Sequence, residues 1–156
     1  MNGLFNLISG ICTMLFVVFA SAVQGQSGTL TNCPGDYEIP ISHKVVKTVQ
    51  TFPAWRECAQ IEKSGKRDRC TSQHVAEFIH SKTPKSMPLA GEFWISFIVE
   101  ENGCLSNIEM VDPDNSEEGW VALEIVRNMP LWSPGIDKDG SIRRVEMRIP
   151  VKFASQ

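Results

Sequence analysis

Residues 91–111 read GEFWISFIVEENGCLSNIEMV. Phe93, Ile95, Phe97 and Val99 alternate with Trp94, Ser96 and Ile98, the two-residue period of a β-strand with two distinct faces. Asn102-Gly103 follows, a pair suited to the positive φ angles of a tight hairpin turn. Residues 104–111, CLSNIEMV, then form the return strand. The stretch therefore predicts an antiparallel hairpin, and the rest of the chain has to supply what covers it.

Downstream, Asp112-Pro113-Asp114 breaks the return strand, and a helix is predicted over 116–129. Asn115, with Glu118 three residues on, has the form of a capping box. Ala122, Ile125, Val126 and Met129 make an apolar stripe at helical spacing. Pro130 stops the helix. Trp132 is placed to plug the gap between the helix end and the sheet. Pro134-Gly135 lets the chain reverse, with Gly135 expected to take positive φ. The last strand is SIRRVEMRIPVKF, residues 141–153. Val145, Met147, Ile149, Val151 and Phe153 face the core, while Arg144, Glu146, Arg148 and Lys152 face water. Pro150 cannot donate to a ladder, so this strand is expected at a sheet edge.

Upstream, residues 71–81 predict a helix capped by Thr71 or Ser72, with Val75, Phe78 and Ile79 as its apolar stripe. Pro84 ends it, and Pro88 keeps the connection extended. The KSGKRDR run before it reads as a solvated basic loop. Residues 26–50 read as an extended lead-in, with a turn at NCPGD and a short strand within HKVVKTV. The expected fold is α+β, a three-stranded antiparallel sheet with two helices on one face. A right-handed crossover should set the last strand beside the first.

The chain has 156 residues and a formal net charge of −3, which speaks for one domain and against a nucleic-acid binder. Residues 1–25 hold an apolar run from Leu4 to Ala22 followed by small residues, the pattern of a cleaved secretory signal. The first Lys or Arg is Lys44, so the usual positive start is missing and an uncleaved membrane anchor is the alternative. Export implies a periplasmic or secreted protein, or one anchored in the inner membrane and facing the periplasm. Beyond Cys12 stand Cys33, Cys58, Cys70 and Cys104. An even number in an exported chain favours disulfides, and three pairings are open. Nearness in sequence favours Cys58–Cys70 and leaves Cys33–Cys104.

Motifs for catalysis are missing. No nucleophile elbow, phosphate loop or H-E-x-x-H occurs. Cys58, Cys70 and His74 have spacing that would suit zinc, but the disulfide reading is preferred and no metal or other cofactor is expected. Glu100-Glu101 and Glu117-Glu118 read as solvated charge, the second pair favouring a helix N-terminus. No enzyme is expected.

The order of these pieces resembles the C-terminal domain of TonB, the periplasmic energy transducer. The resemblance rests on strand, acidic-Asn-Gly turn, strand and helix, then Trp132, Pro134 and Gly135, then Ile149-Pro150-Val151 and Phe153. It covers roughly residues 50–153, within a domain placed at 51–156. The family's Tyr-Pro after the first helix is Thr83-Pro84 here, and a long Pro-rich linker is not seen. The resemblance implies a non-catalytic domain that binds an outer-membrane transporter or another envelope protein. A short transporter peptide would add to the edge of its sheet. The expected edge is Arg143, Arg144, Val145, Glu146, Met147, Arg148, Ile149, Pro150 and Val151, with Arg144, Arg148 and Lys152 on its outer face attracting acidic groups. Asn102, Gly103, Trp132, Pro134 and Gly135 are expected to be structural. An exposed edge also permits a strand-swapped homodimer.

Overall fold

The computed structural model describes residues 44–86, 88–114 and 116–153. The expected signal or anchor at 1–25, most of the lead-in, Cys33 and the expected capping residue Asn115 lie outside the described residues. Among the described residues no helix is long and apolar enough to cross a membrane.

The predicted hairpin is β2 (Gly91–Val99) and β3 (Leu105–Met110). The final strand, β7 (Val145–Phe153), pairs antiparallel with β2 from Gly91↔Phe153 to Val99↔Val145 without a register shift. The sheet order is β3-β2-β7, so the last strand does lie beside the first. Two helices, α1 (Ser64–Lys82) and α2 (Glu117–Arg127), share one core with this sheet. That core joins Val75 and Ile79 of α1, Ala122, Leu123, Ile125 and Val126 of α2, and Ile95, Phe97, Ile149, Val151 and Phe153 of the sheet. The fold is α+β, as the alternation and the helical stripes predict.

Small ribbons complete the fold. β1 (Ala54–Trp55) pairs with β4 (Trp132–Ser133), and β5 (Gly135–Ile136) pairs with β6 (Ile142–Arg143). Trp132 is buried, edge-on to Phe97 at 5.5 Å and to Trp55 at 6.0 Å. It closes the space between helix end and sheet by joining β1, β2 and β4 through aromatic contacts.

Several local expectations are corrected. The basic run is not a loop, because α1 begins at Ser64 and Lys63 is its N-cap. The stripe facing the core starts with Arg67, Cys70, Thr71 and His74 before it turns apolar at Val75, so hydropathy hides its first half. Each of those residues is engaged. Arg67 is buried and donates to the Ile61 carbonyl at 3.4 Å. Thr71 Oγ1 accepts the Trp55 N–H at 3.2 Å, and His74 stacks on Trp55. At α2 the cap is Ser116, whose Oγ accepts the Gly119 N–H at 3.0 Å.

The hairpin turn is longer than two residues. Glu100 accepts from Gly103 N–H at 2.9 Å and donates its own N–H to Cys104 O at 2.8 Å. Gly103 takes φ +85°, whereas Asn102 keeps negative φ and offers Oδ1 to Cys104 N–H. Further along, the β2–β3 register shifts between Ser96 and Ile98, and Asn107 has φ +47°. This is a bulge on β3, with one extra residue that the alternation does not announce. Gly135 does not take positive φ. It lies where a Cβ would stand 2.4 Å from Val145 Cγ2, so it is needed for close approach. The reversal itself falls at residues 137–141, where Gly140 has φ +81°.

Candidate binding edge and groove

The last strand lies at the sheet edge, and its outward groups can be read from one contact. Val46 N–H donates to Arg144 O at 2.9 Å, and Glu146 N–H donates to Val46 O at 2.9 Å. Even-numbered residues of β7 therefore point their backbone groups away from β2. The ladder to β2 is regular, so Arg148, Pro150 and Lys152 point outward as well. Pro150 occupies an outward position, where its missing N–H breaks no bond to β2. Among the described residues no backbone hydrogen bond reaches this edge beyond Glu146. The amides of Arg148 and Lys152 and the carbonyls of Glu146, Arg148, Pro150 and Lys152 remain as ladder positions.

Part of the expected edge is already taken. Val145 forms a parallel bridge with Val46, which caps the strand's beginning. Arg143 lies in β6, with Nε 3.3 Å from Asp137 Oδ2 and Nη2 3.6 Å from Asp139 Oδ2. Arg144 is not an outward lure for acidic partners. Its Nε sits 2.6 Å from Glu100 Oε2 and its Nη2 2.9 Å from Glu100 Oε1. Glu100 is fully buried and also accepts from the Ser106 hydroxyl, so its reading as solvated charge is corrected. The cause is the bidentate guanidinium: a buried carboxylate needs a paired, hydrogen-bonded cation. Ser96, Ile98 and Ser106 are buried too. The second face of the sheet is thus dry at its hairpin end. At the other end Trp94 is 46 % exposed.

Met147, Arg148, Ile149, Pro150 and Val151 remain from the expected site. Lys152, which the alternation places on the outer face, and Phe153, which it places on the core face, extend it along the groove. Arg148 and Lys152 each hold a surface ion pair, to Glu146 at 3.1 Å and to Glu92 at 3.1 Å. Such exposed pairs exchange readily for others.

Alongside this edge runs a groove of about 720 Å³ between α1 and β7. Val75, Ile79, Leu89, Trp132, Ile149 and Phe153 give it an apolar lining. Asp68 and His80 line it from the helix side, Arg148 and Lys152 from the strand side. No run of neighbouring residues encodes the groove, because its two walls are more than sixty positions apart in sequence. Trp132 Nε1 is buried and meets no acceptor among the described residues. An unmet buried donor costs about 1–3 kcal/mol, so it calls for a reason.

Cys58 and Cys70 form a disulfide across 12 positions, tying the turn after β1 to α1. Their sulfurs and a His74 nitrogen lie within 4.8 Å of one another. With the sulfurs bonded to each other, neither is a thiolate ligand, and the zinc alternative fails in this state. Cys104 is also disulfide-bonded, and its expected partner Cys33 lies outside the described residues.

Comparison of the chain with family models, curated proteins and solved structures found no match.

Proposed function

We propose that this is a non-catalytic periplasmic protein-binding domain that takes up an extended segment of an outer-membrane transporter by strand addition to β7. One observation carries the reading: an edge with unused ladder groups forms one wall of an apolar groove. Only another extended main chain presents donors and acceptors at the spacing this wall needs. Alternate side chains of that segment would enter the groove, and the others would meet Arg148 and Lys152. Acidic residues at those other positions complement the two cations. Val46 and Pro150 limit the added ladder to a short segment beside residues 147–152.

The test is titration of the full chain with peptides from the periplasm-facing N-termini of outer-membrane transporters. Amide hydrogen exchange is followed residue by residue. Binding should protect the Arg148 and Lys152 amides, and Arg148→Pro, which deletes one of these donors, should abolish it. Protection elsewhere, or equal binding by the proline variant, would refute strand addition at this edge.

A further inference from the structure

We infer that Cys58, Cys70 and His74 form a redox-gated zinc site, closed while the two sulfurs are bonded and opened when a dithiol reduces them. The ligand atoms are already gathered, since both sulfurs and a His74 nitrogen lie within 4.8 Å of one another. Cys70 and His74 stand four residues apart on α1 and so share a face. Cys58 comes from the turn after β1, with its Cα 5.9 Å from that of Cys70. Tetrahedral zinc with Zn–S of about 2.3 Å sets its two sulfurs about 3.8 Å apart, a spacing that rotation of these side chains reaches without moving the backbone. His74 is held from two sides. Its ring stacks on Trp55 with 4° between the planes, and its Nδ1 lies 3.9 Å from Glu77 Oε2. A carboxylate beside the imidazole is the common outer partner of a metal-bound histidine. Cys58 is buried, but its sulfur is joined to that of half-buried Cys70, next to half-buried His74. An ion arriving on the Cys70–His74 side therefore meets all three, and water completes the tetrahedron. The dithiol gives two electrons and two protons to the Cys58–Cys70 bond, becomes a disulfide itself and leaves two thiols. Zinc(II) then takes both sulfurs as thiolates and releases two protons. The ion ties α1 to the turn after β1 in place of the disulfide. Neither cysteine nor His74 lines the groove, so the site is independent of strand addition at β7.

For the test the full chain is reduced with a phosphine, which becomes its oxide and yields the same two thiols. It is then titrated with cobalt(II) as a coloured stand-in, and afterwards with zinc(II). Reduced wild type should show a sulfur-to-cobalt charge-transfer band and the intense visible bands of a tetrahedral ion, and zinc should bleach both. The unreduced chain should show neither. Cys58→Ser with Cys70→Ser should lose the bands. His74→Phe keeps a ring against Trp55 but removes the nitrogen, and it should weaken zinc binding at least about ten-fold. A second readout needs no variant. Zinc should shield Cys58 and Cys70 of the reduced wild type from alkylation, mapped by mass spectrometry. Four results would each overturn the site: no tetrahedral cobalt bands in reduced wild type, bands that survive in the double-serine variant, unchanged zinc affinity in His74→Phe, or alkylation of Cys58 and Cys70 that ignores zinc.

Discussion

At Gly103 two demands meet on one residue. Its φ of +85° is unfavourable for a side chain, and a Cβ there would lie 2.0 Å from the Trp132 carbonyl oxygen. We expect Gly103→Ala to cost roughly 2–4 kcal/mol, beyond the usual left-handed strain because backbone must also move. Urea unfolding of the variant measures this, and a loss under 1 kcal/mol would contradict the geometry. Glu100 is the second residue on which much depends. Glu100→Ala leaves the Arg144 guanidinium, 11 % exposed at its side chain, without its carboxylate. The expected destabilisation is about 3–5 kcal/mol, the range for breaking a buried pair. Glu100→Gln, which keeps shape and one acceptor, should cost clearly less by the same measurement. The sequence shows the acidic residue and the arginine. It does not show that positions 44 apart are partners, because that pairing is created by β7 lying next to β2.

Among the elements, the lead-in and β7 are joined by more than one bridge. Lys47 Nζ lies 3.3 Å from Glu146 Oε2, next to the Val46–Val145 pairing. The hydrogen bond from Lys47, and after it the one from Arg148, holds the Glu146 carboxyl below its ordinary value of 4.5. Because the folded value is the lower one, the stabilisation is complete above the unfolded value. It is lost as pH falls through the folded one. Carbon-13 titration should place the Glu146 midpoint below 4.5, and Lys47→Ala should raise it. An unshifted midpoint that ignores the substitution would show that the lead-in does not hold this carboxyl. Helix α1 teaches a related lesson. Its C-terminal half is legible as Val75, Phe78 and Ile79, but its N-terminal half is anchored by Arg67, Thr71 and His74, which bury polar or charged groups through specific partners. Periodicity of hydrophobic residues cannot register a stripe made that way.

For the molecule as a whole, the Cys58–Cys70 bond fastens α1 to the turn after β1, and α1 is one wall of the groove. Replacing both cysteines by serine should lower stability by about 3 kcal/mol, the expectation for a loop of this length. Comparison of urea midpoints for the oxidised wild type and the double variant checks it, and coincident midpoints would show that the link constrains little. The sequence by itself determined the hairpin, the two helical stripes, the outer position of the Pro150 strand and the α+β class. Those features are set by periods of two and of three to four residues, and by the backbone limits of proline and glycine. Tertiary structure alone decided the bulge at Asn107, the burial of Glu100 against Arg144, the capping of β7 by Val46 and the groove beside Trp132. Each of these depends on which distant segments become neighbours, and the free energy of such contacts belongs to the pair rather than to either stretch of chain.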